Sequence, residues 1–484
     1  IFQQVDTANA LNFNAYILTN NQVIKNGAGT LNLLKPQIIQ NASSGIWDIN
    51  QGVLALASGV DNTIPVVATA TIPYVPALVM NGGSLDLRGN SQAIGAVSSQ
   101  NQLPGMGGNI TNSTGTLATF TTAAATNSVY SGAISGSLAF TRSGNTTTTL
   151  TNTNTFTGAT TVRGGVLELR DLGSFANTAS VNNYFGTLQL NDQGLYSGII
   201  RIPTSVSLVL SGGSLSYLAN QTGTTTGTVQ LNAGQSFVNV STMTGNVAAG
   251  SITLTDLLRG PGSAVNFTGS NLGQNGFATT QIFLNNVGGA SAASTLTNGI
   301  LGGWATVGGT DFAGYVASNG TQGGVGALNT LGFPYYSANL LTTGTATDNI
   351  NITNTGTSGV TTRTINSLRL SPSGGATITL NSASDVLTIA TGGLLMGANH
   401  TLTIGSGSLT SGTSALFAYI NQNTTTISSA ITGAIDLVKG GAGALTLTGT
   451  NTFTGTLYAN QGTTTLNATG ANGTTIVAAA GDLV

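Results

Sequence analysis

Small apolar and polar residues alternate with a period of two along most of the chain. Clear examples are GTLQLND at 186–192, ATITLNS at 376–382 and ALTLTGT at 444–450. Successive side chains of a strand point to opposite faces of a sheet, so the alternation predicts short strands with one buried face. Clusters of Gly, Asn and Ser between these runs predict turns. No stretch combines helical periodicity with helix caps, and the sequence therefore predicts an all-β fold.

One block of sequence is repeated within the chain. Residues 131–171 align with residues 428–468 without a gap, and a degenerate third copy lies near 23–58. A single repeat cannot bury its own apolar face and must stack on its neighbours, so the repetition predicts a β-solenoid. With rungs of roughly 20–25 residues stacked about 4.8 Å apart, we expect on the order of 20 rungs in a rod about 100 Å long.

Four positions are shared by the three copies. They are a cation (Lys25, Arg142, Lys439), an asparagine (Asn41, Asn154, Asn451), a glycine (Gly52, Gly165, Gly462) and a leucine (Leu56, Leu169, Leu466). We expect the glycines to occupy turns with positive φ and the leucines to point inward. Phe156 and Phe453 are expected to point inward or to close a turn. The arginines, Arg142 among them, are expected to be solvated or to neutralise nearby acids.

The regular rhythm is broken in one region. The chain is accordingly divided into a first solenoid part at 1–286, an irregular segment at 287–345 and a second solenoid part at 346–484. The irregular segment is unusually rich in aromatic residues, which are Trp304, Phe312, Tyr315, Phe333, Tyr335 and Tyr336. Two interpretations stand side by side. The aromatics either pack over an irregular turn or form a partner-binding excursion, with Trp304, Phe312, Tyr315, Tyr335 and Tyr336 as the contact residues.

The low charge of the chain narrows the classes of partner. Only 5% of the residues are charged, the formal net charge is −2, and there are 69 glycines and no cysteine. An ordinary soluble domain carries about 25% charged residues. Without a basic patch, nucleic-acid binding is not expected, and without cysteine neither disulfides nor thiolate metal sites can form. A surface with so little charge favours self-association.

No segment is expected to span a membrane. The most apolar stretch, at 64–80, is too short and contains Pro65, Pro73 and Pro76. The first residues, IFQQVDTANA, contain no signal peptide. We expect the sequence to be a piece of a longer polypeptide.

Parts of the sequence resemble a known family. GGAGALTLTGTNTFTGTLYANQGTTTLNA at 440–468 resembles the autotransporter-associated β-strand repeat, and the stretches at 82–99 and 364–412 resemble its companion strands. The resemblance implies a right-handed parallel β-helix that is displayed outside the cell, and it brings no catalytic residues. The chain departs from a complete autotransporter because it has neither a C-terminal membrane barrel nor a terminal aromatic residue.

A search for catalytic chemistry finds little. Glycoside hydrolysis requires two neighbouring carboxylates, and only Glu168 and Asp171 are close in sequence, Asp171 being replaced by Ala468 in the sister copy. His400, the only histidine, lies between strand-like runs, and we expect it to be a turn or ladder residue. Histidine pairs and calcium-binding loops are absent from the sequence. The sequence therefore predicts no catalytic residue, cofactor or metal.

These observations lead to one functional hypothesis and two alternatives. We expect a non-catalytic extracellular structural protein, a solenoid segment of a surface fibre or filament in which copies stack end to end. The first alternative is an adhesin passenger that binds a cell surface or a glycan through residues 287–345. The second is a carbohydrate-active β-helix enzyme, which would require acidic residues clustered on one face.

Overall fold

The chain is a parallel β-solenoid of about 19 turns, as the sequence predicts. The computed structural model describes residues 1–17, 22–37, 45–68, 73–220, 223–243, 249–338, 341–397, 402–466, 473, 475–478 and 481–483. Within these residues the only helix is a 3-10 turn at Ala292–Ser294, and none is long and apolar enough to cross a bilayer.

Short strands make up the solenoid and are numbered in chain order. The first half contains β1 Phe2–Gln3, β2 Leu11–Phe13, β3 Gln22–Asn26, β4 Thr30–Leu33, β5 Ile46–Ile49, β6 Val53–Leu56, β7 Val67–Ala68, β8 Pro73–Tyr74, β9 Ala77–Met80, β10 Ser84–Asp86, β11 Gln92–Ile94, β12 Val97–Ser98, β13 Asn109–Asn112, β14 Ala118–Ala123, β15 Ser128–Tyr130, β16 Ile134–Gly136, β17 Leu138–Ser143, β18 Thr147–Leu150, β19 Thr153–Asn154, β20 Thr160–Arg163, β21 Val166–Arg170, β22 Ser174–Phe175, β23 Ser180–Tyr184 and β24 Thr187–Asn191. The second half contains β25 Ser207–Ser211, β26 Ser214–Ala219, β27 Gly223–Leu231, β28 Gly234–Thr242, β29 Gly250–Arg259, β30 Ser263–Gly269, β31 Thr280–Val287, β32 Ala290–Ser291, β33 Ala305–Val307, β34 Asp311–Val316, β35 Gly324–Ala327, β36 Ser337–Ala338, β37 Asn349–Ile352, β38 Gly356–Val360, β39 Arg363–Leu370, β40 Ala376–Leu380, β41 Val386–Met396, β42 Leu402–Gly405, β43 Ser408–Ser411, β44 Ala415–Ile420, β45 Thr424–Ile427, β46 Ala430–Ile431, β47 Asp436–Gly440, β48 Ala444–Leu447, β49 Thr456–Ala459, β50 Gly462–Leu466, β51 Thr475–Ala478 and β52 Gly481–Leu483.

The chain divides into two compact units. The first comprises mainly Ile1–Val209 and the second mainly Thr228–Val484. The irregular segment at 287–345, expected to separate two solenoid parts, lies inside the second unit.

Parallel ladders run through the first unit. Two of its sheets have the strand orders β1-β3-β5-β9-β12 and β16-β13-β10-β6-β4-β2, and in a third β15, β18, β21 and β24 follow one another. Leu150, Leu169 and Leu190 are in register on successive rungs and are almost completely buried. Leu56 and Leu169 are fully buried and Leu466 packs half-buried against the core. The repeated leucine therefore points inward as expected, because every rung places its apolar residue over that of the preceding rung.

A column of phenyl rings extends the core of the first unit. Phe120, Phe140, Phe156 and Phe175 follow one another with ring centroids 6.3, 6.2 and 5.5 Å apart. These separations allow stacked and edge-to-face contacts, which add to the burial of the rings. Phe156 and Phe453 are both fully buried, in agreement with the inward orientation expected for them.

The second unit contains two solenoid segments joined by a cap. The outgoing segment (residues 234–287) contains the parallel pairs β28–β30 and β29–β31, and β33 of the cap continues the ladder parallel to β30. The cap segment (residues 288–336) adds antiparallel strands, since β32 pairs with β31 and β34 pairs with both β33 and β35. The returning segment (residues 337–483) resumes parallel stacking in the orders β37-β39-β41-β44-β47-β49-β51 and β38-β40-β42-β45-β48-β50-β52.

Candidate functional site: the aromatic segment and its surroundings

The aromatic residues of the irregular segment differ widely in exposure. Phe312 is fully buried, and Trp304 and Tyr336 are only 8% and 9% exposed. Tyr315 is half-buried, whereas Tyr335 is 69% exposed. Of the five residues considered as a partner contact, three therefore belong to the core, and only Tyr335 is mostly exposed to solvent.

Phe333 forms the centre of the cap segment. Its ring is buried and lies against Gly273, Gly314 and Gly326. A Cβ on Gly273 would lie 2.7 Å from the Phe333 ring, and Gly273 also has a φ of +85°. Glycine therefore makes room for the ring at a backbone position that other residues rarely adopt.

An ion pair joins the cap segment to the returning segment. The Arg369 Nε lies 3.1 Å from the Asp311 carboxylate and donates to the Thr310 carbonyl oxygen at 2.7 Å. The guanidinium also lies 5.4 Å from the centroid of the Tyr336 ring, whose hydroxyl accepts the Phe312 N–H at 3.1 Å. Burial raises the pKa of Asp311 and of Tyr336, and the charge of Arg369 opposes both rises. Arg369 thus compensates the burial of the carboxylate.

A second contact brings Trp304 against the returning segment. The Tyr419 hydroxyl donates to the Trp304 carbonyl oxygen at 2.9 Å. The Arg259 guanidinium lies 5.5 Å from the ring centroids of both Trp304 and Phe417. Two aromatic rings from different segments therefore enclose one cation, a geometry that is favourable when water is excluded.

The returning segment lies back along the outgoing segment. Near its start, Asn366 accepts from Asn298 of the cap at 3.0 Å. Near its end, Asn460 donates to the Gly262 carbonyl oxygen at 2.7 Å, and the Gly441 N–H donates to Gln235 at 3.3 Å. The two solenoid segments of this unit therefore lie side by side, because the cap reverses the direction of stacking.

The cation shared by the three repeat copies is buried. Lys25, Arg142 and Lys439 are at most 1% exposed. Lys439 Nζ donates to the carbonyl oxygens of Gly441 and Gln461 at 2.6 and 2.8 Å. Lys25 Nζ similarly reaches Gly27 at 2.7 Å and Gln51 at 3.1 Å. Each cation thus joins the turn of its own rung to the turn of the next one.

Arg142 corrects the expectation that the arginines are solvated or acid-paired. Its guanidinium donates to the carbonyl oxygens of Ser143 and Thr146 and, at 3.3 Å, to that of Val166. No ion pair among the described residues includes it. Main-chain carbonyl oxygens take the place of a carboxylate as partners of the guanidinium, because the turns of stacked rungs direct several carbonyl oxygens toward it. The repeated Lys or Arg in the aligned copies is the sequence signal for this position.

The repeated glycine supports the same arrangement. Gly52, Gly165 and Gly462 have φ values of +70°, +57° and +66°. A Cβ on Gly165 would lie 2.6 Å from Arg142 Nη2, and one on Gly52 would lie 2.8 Å from Lys25 Nζ. The prediction of turn glycines is confirmed by these φ values. The buried cation is a second reason for glycine at Gly52 and Gly165, because a side chain there would contact it.

The repeated asparagine bonds to the main chain of the preceding rung. Asn154 Oδ1 accepts the Ile134 N–H at 3.0 Å, and Asn451 Oδ1 accepts the Ile431 N–H at 2.9 Å. Both asparagines are fully buried, so these bonds satisfy groups that would be costly to leave unpaired. Asn41, the third member, lies outside the described residues.

The two neighbouring acids are held by hydrogen bonds between rungs. Glu168 accepts from Thr149 and Asn191 at 2.6 Å and from Gln189 at 2.9 Å. Asp171 accepts the Leu195 N–H. Both carboxylates are about 5% exposed, with values of 6% and 4%. Their observed role is to connect consecutive rungs.

Within the described residues no group of three or more side chains of the types that bind metal ions is found. His400 lies outside those residues. Comparison of the chain with family models, curated proteins and solved structures finds no match. Inferences about function are therefore drawn from the geometry of the chain.

Proposed function

We propose that the chain is a non-catalytic structural segment of an extracellular surface fibre, of the kind built from autotransporter-associated repeats, and that copies stack end to end. One observation carries the proposal. Strands β1 and β2 lie at the outer ends of their parallel sheets, paired on one side with β3 and β4. An edge strand of this kind offers unpaired N–H and C=O groups to a further parallel strand.

The weak charge of the chain supports stacking. Its net charge is −2 over 484 residues, so copies repel one another little. The buried polar groups of the repeat form hydrogen bonds between consecutive rungs. These bonds strengthen the solenoid along its axis, as a structural fibre requires. The β1–β2 edge accepts a strand of another copy or a further strand of the same polypeptide, and the proposal commits to another copy.

Electron microscopy of the purified chain tests the proposal. We expect the wild-type chain to form filaments and the Leu11→Lys variant to form none. The substitution places a charge on β2, where Leu11 is 42% exposed. Leu117→Lys serves as the control, since Leu117 is 59% exposed and lies outside β1 and β2. Discrete wild-type particles at every concentration would contradict stacking between copies.

One observation favours adhesion as a second candidate function. Tyr335 is 69% exposed in the cap segment, and an exposed tyrosine is a frequent contact residue at interfaces. Tyr335→Ala should then reduce attachment to cells or immobilised glycans. Leu331→Ala, at a position of equal exposure in the same segment, is the matched control. Equal attachment by the two variants would contradict this role of Tyr335.

A further inference from the structure

Two loops of the first unit enclose a groove on the side of the solenoid. Its volume is ≈ 640 Å³. Val129, Thr151, Arg170 and Asn191 line it between the two loops, one of which contributes Leu103 and the other Leu195. The groove thus lies across several rungs, with apolar residues on both loops.

Exposed apolar residues are concentrated on these loops. Leu103 and Met106 of the first loop are 66% and 65% exposed. Leu195, Tyr196 and Ile200 of the second loop are 75%, 48% and 73% exposed. Apolar residues grouped on two loops that border one groove mark an interaction surface more often than scattered single residues do.

The second loop is fixed firmly at its base. Arg201 and Asp192 form an ion pair of 2.7 Å, and their side chains are only 1% and 2% exposed. The Tyr217 hydroxyl donates to the same carboxylate at 2.9 Å, and Asp171 accepts the Leu195 N–H. A loop held in this way presents its apolar tip in a defined conformation, which lowers the entropic cost of binding.

The charges near the groove nearly cancel. Arg170 lies 3.8 Å from Glu168 and 3.4 Å from Asp171, so one cation faces two carboxylates and a single formal negative charge remains. A single charge gives little electrostatic attraction to a strongly charged partner. The apolar loop tips favour a partner whose own surface is apolar and weakly charged.

We propose that this groove is a lateral contact between two copies of the chain. In a two-fold symmetric pair, Leu195 and Tyr196 of one copy would lie against Leu103 and Met106 of the other. Within the second unit the outgoing and returning solenoid segments already lie side by side, joined by the hydrogen bond from Asn460 to the Gly262 carbonyl oxygen. The weak net charge permits the same between copies. The contact is separate from end-to-end stacking.

Sedimentation velocity tests the lateral contact, with Leu11→Lys present in every sample to block end stacking. We expect a reversible dimer that Leu195→Asp weakens at least tenfold. Leu331→Asp, at a 69% exposed position of the second unit, should leave dimerisation unchanged. A Leu195→Asp protein with an unchanged melting temperature excludes misfolding as the cause, and a solvent-exposed position favours that result.

Disulfide formation supplies a second measurement, because the chain contains no cysteine. With oxidised glutathione as the two-electron oxidant, a mixture of Leu103→Cys and Leu195→Cys should yield covalent dimers faster than a mixture of Leu331→Cys and Leu195→Cys. A Leu11→Lys protein that is monomeric at all concentrations, or dimerisation insensitive to Leu195→Asp, would overturn the proposal. Filament formation by Leu195→Asp alone would leave end stacking intact, so the two proposals fail separately.

Discussion

Lys439 and Gln461 belong to consecutive rungs and are joined by a 2.8 Å hydrogen bond from the lysine Nζ to the main-chain oxygen of the glutamine. The lysine is fully buried, and its second partner is the carbonyl oxygen of Gly441. A charge in this position is compensated by dipoles rather than by an acid. The stability of the rung should therefore depend on the protonation of Lys439.

The first prediction concerns pH. Burial lowers the pKa of Lys439 from 10.5 to about 7. Between these values the unfolded chain binds a proton that the folded chain does not, so the free energy of unfolding rises with pH, by at most about 1.4 kcal/mol per pH unit. Below pH 7 both states are protonated and this contribution is constant.

Urea unfolding from pH 6.5 to 9.5 checks this dependence. Lys439→Met should reduce the slope of the free energy of unfolding against pH, whereas Lys35→Met, a control at a half-buried position, should retain it. Parallel curves for wild type and Lys439→Met would show that the lysine keeps its proton in the folded state.

The second prediction concerns the turn glycine beside Arg142. Gly165→Ala should lower the free energy of unfolding by at least about 2 kcal/mol, since it places a Cβ at positive φ and against the guanidinium. Gly115→Ala should change it by less than about 0.5 kcal/mol, because a Cβ on Gly115 has no neighbour within 4 Å. Thermal unfolding compares the two, and equal losses would argue against a special role of the turn.

The third prediction concerns Phe185. Arg163 and Tyr184 are in register, so Gly164 and Phe185 hold the same turn position, with φ values of +74° and +57°. Phe185 is half exposed and gains little from packing. Phe185→Gly should therefore stabilise the chain by up to about 1 kcal/mol. Calorimetry measures the effect, and a loss of stability would mean that the exposed ring packs more than its exposure indicates.

The fourth prediction concerns the contact of Trp304 in the cap segment with Tyr419 in the returning segment. Tyr419→Phe removes the donor to the Trp304 carbonyl oxygen and should cost about 1 kcal/mol. In a Trp47→Phe background, fluorescence reports on Trp304 alone, because the chain has two tryptophans. We expect the Trp304 emission to change at lower urea concentration in Tyr419→Phe. A coincident transition would contradict a stabilising role for this bond.

The elements that follow from neighbouring rungs could be predicted from the sequence. Leu169 and Gly165 recur at fixed positions in the repeat, and stacking requires an inward residue and a turn at those positions. The burial of Arg142 could have been inferred from the same alignment, since Lys or Arg is kept beside a glycine in all three copies.

The reversal in the second unit could not be predicted in this way. Contacts such as those of Asn298 with Asn366 and of Gln235 with Gly441 join residues that share no repeat position. The sequence repeat predicts how one rung stacks on the next. Contacts between the outgoing and returning segments depend instead on the direction of the chain after the cap. The exposed loops around Leu103 and Leu195 likewise lie outside the repeated positions.

The reversal also prescribes an order of assembly. Hydrogen bonds from the cap and the outgoing segment to the returning segment span 59 residues at Thr310–Arg369 and 68 at Asn298–Asn366, but 115 at Trp304–Tyr419 and 206 at Gln235–Gly441. Shorter loops close at a lower entropic cost. The returning segment should therefore dock progressively, starting beside the cap and ending at its far end. In a chain that is interrupted within the cap, the first contact would close a longer loop at a higher entropic cost.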